Sequence, residues 1–206
     1  MSSDPSHFFR LHSRFGRVLT VIVAAGSLAA LILVAVSGRL AEAAMLTPVL
    51  SLLSFLTWAG FWRPAVLAGP AGVTLRNVWH TTEVSWPEIQ RIDTKFALTL
   101  YTPHGKVTAW AAPAPDRHVV LGAVKADGGH LPESSYLDGT VRPGDLITTD
   151  SGQAAYAIRA HWEKLRDEGH LADARSEFPG LRRHWHWASL AIAAGLTAVT
   201  VLSALL

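Results

Sequence analysis

The chain has 206 residues, of which half are apolar and only 17% charged, against roughly 25% charged in ordinary soluble domains. That balance excludes a disordered polymer, which needs low hydrophobicity and high net charge. The absence of Cys excludes a disulfide scaffold, a Cys-ligated zinc site and a thiol nucleophile.

Residues 1–17 read as a basic tail carrying Arg10, Arg14 and Arg17. Residues 18–36 follow without a charge, and residues 43–62 are a second uncharged block. At about 1.5 Å per residue each block makes about 30 Å of helix, enough to cross a bilayer core. The first block also has marks of a secretory leader: arginines before it, and Ala41-Glu42-Ala43 in the A-x-A form after it. Its apolar run is longer than the usual leader core of about 7–15 residues, and the second block begins almost at once, so the pair reads as a membrane hairpin. Pro48 lies early in the second block, where a missing N–H costs little. Trp58 and Trp62 close that block, and Trp185 and Trp187 open a third apolar stretch at 187–206. Trp favours the membrane–water boundary, because its ring is apolar and its N–H needs a partner. Small residues four apart, Ala25/Ala29, Gly26/Ala30 and Ala191/Gly195, are candidates for close helix contact.

Flanking charge predicts orientation. Arg10, Arg14, Arg17, Arg63, Arg182 and Arg183 fall on one side if the N-terminus is cytoplasmic, whereas the short connection at 37–42 has only Arg39 beside Glu42. Positive flanks stay inside. The expected protein is therefore a multi-pass cell-membrane protein, its partner the lipid bilayer, with a cytoplasmic middle segment and the C-terminus outside.

Residues 63–186 hold 14 Lys/Arg and 14 Asp/Glu and are net neutral. A nucleic-acid partner is not expected, since it would need a basic domain or stripe. From 64 to 115 the pattern is short strands. Val73, Leu75 and Asn77 alternate with Thr74 and Arg76, Val84 and Trp86 with Ser85, Phe96, Leu98 and Leu100 with Ala97 and Thr99, and Val107, Ala109 and Ala111 with Thr108 and Trp110. Period two means one buried and one exposed face. Gly69-Pro70-Ala71-Gly72, Trp86-Pro87 and Thr102-Pro103-His104-Gly105 punctuate the runs as turns, which suggests an antiparallel sheet or barrel. Residues 116–149 read as a long connection with a hairpin around 140–148. A helix is expected over 151–168, capped by Asp150 or Ser151, with Ala154, Ala157, Ile158, His161, Trp162 and Leu165 as its apolar stripe. Residues 171–186 read as a linker.

The run Gly72-Val73-Thr74-Leu75-Arg76-Asn77, followed by Ser85-Trp86-Pro87-Glu88-Ile89, resembles actinobacterial membrane-anchored bacterial PH-like proteins of the low-molecular-weight antigen type. In these a G-[VL]-x-[VL]-R-N strand precedes a W-x-x-I segment, and the PH-like domain stands beside one or two N-terminal membrane helices. The resemblance implies an α + β membrane protein: three transmembrane helices and a PH-like split β-barrel at 63–170, capped by its C-terminal amphipathic helix. The long connection and the third span depart from the common pattern. Val73, Leu75, Trp86 and Ile89 are expected in the core, with Gly72 and Asn77 at turns.

Catalytic groupings are weak. His184 and His186 face different sides of a helix and read as interfacial anchors. His161-Trp162-Glu163 lacks the second His of a zinc-binding helix. Asp116, His118, His130 and Ser151 have no nucleophile elbow, and Arg142-Pro143-Gly144-Asp145 is turn chemistry. No catalytic residue, metal ligand or cofactor is expected. The reading is a non-enzymatic interaction or scaffold module with a membrane-protein partner. The alternative is recognition of a lipid head group or small ligand, with Arg76, Arg91, Lys95 and Lys106 as the candidate binding residues.

Overall fold

The computed structural model describes residues 7–114, 149–169, 171 and 180–205. In chain order the elements are β1 (Phe9–Leu11), α1 (Arg14–Val36), α2 (Leu40–Thr57) and a π-turn (Trp58–Trp62). Six strands follow: β2 (Ala65–Gly69), β3 (Gly72–Arg76), β4 (His80–Ser85), β5 (Arg91–Asp93), β6 (Ala97–Thr102) and β7 (Gly105–Pro113). The chain ends with α3 (Asp150–Asp167), β8 (Leu181–Trp185) and α4 (Trp187–Leu205). The hairpin expected at 140–148, with Asp116, His118 and His130, lies outside the described residues. The chain divides into two compact units.

One unit holds the apolar helices, with Ser13–Pro64 and Trp185–Leu206 as its main parts. Three helices, Arg14–Val36, Leu40–Trp62 and Trp187–Leu205, are long and apolar enough to cross a membrane. Ser13 caps α1, its hydroxyl accepting from the Gly16 amide at 3.2 Å, which serves one of the orphan donors of the first turn. The close approach between the first two helical segments is at Gly16, where a Cβ would run into the Phe61 carbonyl. One turn on, Thr20 Oγ1 donates to the Gly16 carbonyl at 2.8 Å. Deeper along the pair, Ser54 Oγ donates to Ser27 Oγ at 3.2 Å. Gly26 and Gly195, expected at helix contacts, have open space around the Cβ position instead. Pro48 lies inside α2, because that helix begins at Leu40 rather than at residue 43.

The other unit contains Ala65–Asn77 and Thr81–His184 together with the first twelve residues. Its strands form two open sheets, ordered β1-β2-β3-β4-β8 and β5-β6-β7. Open sheets stand where a split barrel was expected. Segment 1–17, read as a tail, contributes β1, which pairs with β2 from Phe9↔Ala68 to Leu11↔Val66. Segment 171–186, read as a linker, contributes β8 at the far edge. Neither strand has an alternating pattern long enough to register in the sequence. β2 is buried along its whole length, so it lacks alternation too.

Where alternation is present it sets the core. Val73, Leu75, Val84, Leu98, Leu100, Val107, Ala109 and Ala111 are buried, and Trp86 and Ile89 join them. The Trp86 ring is fully enclosed and its Nε1 donates to the Gly69 carbonyl at 3.0 Å, which satisfies the one polar group that burial would otherwise strand. Phe96 departs from the expected pattern: it precedes β6 and is 80% exposed. At Gly72 a Cβ would meet the Val84 carbonyl, so the β3–β4 pairing requires glycine there. Helix α3 sends Ala154, Ala155 and Ile158 into the core, with Trp162 and Leu165 half-buried against it. Its cap is Thr149, whose hydroxyl accepts from the Gly152 amide at 3.0 Å, rather than Asp150 or Ser151. Ser151 is buried beside that cap, its Oγ 3.2 Å from Thr149 Oγ1.

Candidate ligand face on the three-stranded sheet

Strand period two sorts β5, β6 and β7 into two faces. Ile92, Leu100 and Val107 point to the core. Their neighbours point outward, and the register aligns them in two rows across the sheet. Arg91 pairs with Tyr101 and Asp93 with Thr99; Tyr101 in turn pairs with Lys106, and Thr99 with Thr108. One row is thus Arg91–Tyr101–Lys106 and the other Asp93–Thr99–Thr108. With Lys95 and Phe96 from the β5–β6 connection and Ala97 at the start of β6, these residues line a depression of about 490 Å³.

The rows are internally organised. The Arg91 guanidinium lies over the Tyr101 ring at 4.3 Å and donates to Asp93 Oδ2 at 3.3 Å. Asp93 Oδ1 accepts from the Lys95 amide at 3.0 Å, which fixes the turn that carries Lys95. The Lys95 ammonium stands 5.3 Å from the centre of the exposed Phe96 ring. Thr99 Oγ1 and Thr108 Oγ1 are 3.1 Å apart. Lys95 and Lys106 are exposed and make no ion pair among the described residues. The face therefore offers three cations against one carboxylate, with hydroxyls and aromatic surface between them. Such a surface suits an anionic group, since charge-assisted hydrogen bonds are the strong ones and flat rings add contact at low entropic cost.

Three of the four residues expected to bind, Arg91, Lys95 and Lys106, meet here. Arg76 does not: it lies on β3 in the other sheet, opposite Ala65 and Thr81. Strand period alone could not separate it, because sheet membership is a property of the chain path.

Two residues that the sequence reading did not assign to this sheet hold its borders. Asn77 was placed at a turn, but its amide acts as a substitute peptide group on β7: Nδ2 donates to the Thr108 carbonyl at 2.9 Å and Oδ1 accepts from the Trp110 amide at 2.9 Å. On the opposite border, Arg159 of α3, only 7% exposed, donates from Nη2 to the Ile92 carbonyl at 3.2 Å. An unpaired strand edge is a template for another strand, and these contacts occupy backbone groups at both borders. The only sign of Arg159 in the sequence is its place three residues before the stripe residue Trp162.

The remaining groupings stay apart. His161 packs between Phe8, at 4.4 Å, and Trp86, at 4.9 Å; burial, followed by the Lys164 charge, lowers its pKa, and Glu168 opposes this. His184 lies on β8 and His186 just before α4. Among the described residues no cluster of three His, Cys, Asp or Glu could hold a metal ion.

Residues 63–135 match the family model of the bacterial PH domain, which covers β2 to β7. The chain thus carries a bacterial PH-like domain, the class of protein that the motif at Gly72–Asn77 and Trp86 resembles. PH domains are as a class binding modules rather than catalysts. No curated protein and no solved structure matches the chain.

Proposed function

We propose that this chain is a membrane-anchored, non-enzymatic binding module. It works at the inner face of the cell membrane and presents the outer face of β5–β7 to an anionic segment of a membrane-protein partner. The observation that carries this reading is the convergence of Arg91, Lys95 and Lys106 around Tyr101 and Phe96. The occupied borders of the same sheet, at Asn77 and Arg159, favour recognition through the face over addition of a partner strand. Confinement to the membrane plane raises the effective concentration of membrane partners, so a modest face suffices.

Anchoring is supported by the three apolar helices and by short connections. Two residues join β1 to α1, two join the π-turn to β2, and one joins β8 to α4. An anionic lipid head group is the second reading, favoured by Lys95 and Lys106 being exposed without an acidic partner among the described residues.

The test is crosslinked purification from native membranes of the natural chain and of a Lys95→Glu/Lys106→Glu variant, with proteins and lipids both analysed. A protein retained by the natural chain and lost from the variant supports the first reading. Loss of an anionic lipid alone supports the second. Identical recovery of everything overturns both.

A further inference from the structure

The helical unit carries one acidic residue, Glu42, within 13–64, 78–80 and 185–206, and Arg39 neutralises it. At the start of α1, Arg14 and Arg17 are exposed and make no ion pair among the described residues. Residues three apart on a helix are neighbours, with Cβ atoms about 5–6 Å apart, and like charges there repel. The Arg17 guanidinium lies 5.7 Å from the centre of the Trp62 ring, at the end of the π-turn. That contact is with the ring's electrons and leaves the N–H donors of the guanidinium to a ligand. Trp62 and Phe15 are themselves exposed. Arg63 nearby is already held by the Ser189 hydroxyl, so the patch rests on Arg14 and Arg17. Two cations and two exposed rings thus stand together, and the unit has no free carboxylate to balance them.

On the membrane-anchored reading proposed above, on which this inference rests, depth selects the partner. The uncharged run begins at Val18. Arg14 stands about 6 Å before it, at about 1.5 Å per residue, and the polar layer outside the hydrocarbon core is about 5–8 Å thick on each side. Both side chains therefore leave the helix within that layer, where the lipid phosphates lie. We infer that Arg14, Arg17 and Trp62 form a binding site for the phosphate of an anionic phospholipid. Phosphate oxygens accept several charge-assisted hydrogen bonds, and the planar guanidinium fork matches them. Two cations favour a lipid with net negative charge over a zwitterionic one, whose phosphate carries its own cation. The site shares no residue with the outer face of β5–β7.

The experiment places a photoreactive benzophenone amino acid at Val18, beside the patch, or at Val36, at the other end of α1; both positions are exposed. The full chain is reconstituted in nanodiscs of equal phosphatidylglycerol and phosphatidylcholine, and the crosslinked lipids are identified by mass spectrometry. The expected result is an excess of phosphatidylglycerol at position 18 over position 36. Arg14→Gln and Arg17→Gln should each lower that excess about five-fold, the effect of one basic side chain near an anionic surface. Equal ratios at the two positions, or an excess that persists in both variants, overturns the inference. Loss of the excess on adding inorganic phosphate at constant ionic strength assigns the site to a soluble anion and overturns the lipid as its occupant. Absence of any lipid crosslink at either position overturns the membrane-anchored reading as well. The Lys95→Glu/Lys106→Glu variant, which tests the outer face, should leave the excess intact, so the two sites fail separately.

Discussion

Asn77 shows how one side chain can complete a sheet. Its amide donates to the Thr108 carbonyl and accepts from the Trp110 amide, the pairing a neighbouring strand would make. Asn77→Ala removes both bonds and is expected to cost about 1–2 kcal/mol, measured by chemical denaturation of the reconstituted chain. His161 provides the pH dependence. Its folded pKa lies below the ordinary 6.5 because burial against Phe8 and Trp86, and then Lys164, disfavour the charged ring, with Glu168 opposing. The unfolded chain therefore binds this proton more readily than the folded one. The contribution of neutral His161 is fully present above the unfolded pKa, and it is lost as pH falls from there through the lowered folded value. Melting temperatures across pH 8 to 4 should fall on the acid side, and a His161→Phe variant should show a shallower fall.

At the scale of elements, the edge strand β1 is the least obvious part of the domain. Leu11 is a core residue, and Leu11→Ala should destabilise the domain by about 2–3 kcal/mol, at the low end for a buried Leu because a sheet edge can partly collapse. Thermal denaturation monitored by near-UV circular dichroism checks this. The legible elements were those whose residues repeat with a period. The three apolar helices announced themselves by length and absence of charge. Strands β3, β6 and β7 did so by alternation of Val73 and Leu75, Leu98 and Leu100, and Val107, Ala109 and Ala111. β1, with three residues, is too short to repeat, and β2 is buried on both faces, so neither carries a period-two signal. β8 is mostly exposed and follows residues that read as a linker. The candidate face is legible in part: the cations Arg91, Lys95 and Lys106 lie on or beside strands that alternation reveals. Their convergence depends on the register of β5, β6 and β7, which separates them from Arg76. The cap at Thr149 is not legible because Asp150 and Ser151 are equally good cap residues, and only the backbone decides which one precedes the first turn.

For the whole molecule, the charge distribution makes the expected topology testable. Arg17 lies over Trp62 at 5.7 Å, Arg63 lies over Trp58 at 5.8 Å, and Arg63 Nη1 donates to Ser189 Oγ at 2.6 Å. The start of α1, the end of the π-turn and the start of α4 thus meet at one end of the helical unit, and that end is rich in arginine and tryptophan. At the other end Arg39 is neutralised by Glu42. We propose that the positive end is the inner one, as positive flanks favour; a reporter fused at the C-terminus should then respond from outside intact cells and one fused at the N-terminus should not, and the reverse result refutes the orientation. The order of the strands has a further consequence, for biogenesis. β1 pairs with β2, yet α1, α2 and the π-turn separate them in the chain. During synthesis β1 leaves the ribosome ahead of these segments and remains without its neighbour until β2 has emerged. β8 comes after every other strand. The β1 border can thus close as soon as β2 emerges, whereas the β8 border closes last, and a ribosome halted before β8 holds a domain that lacks one edge.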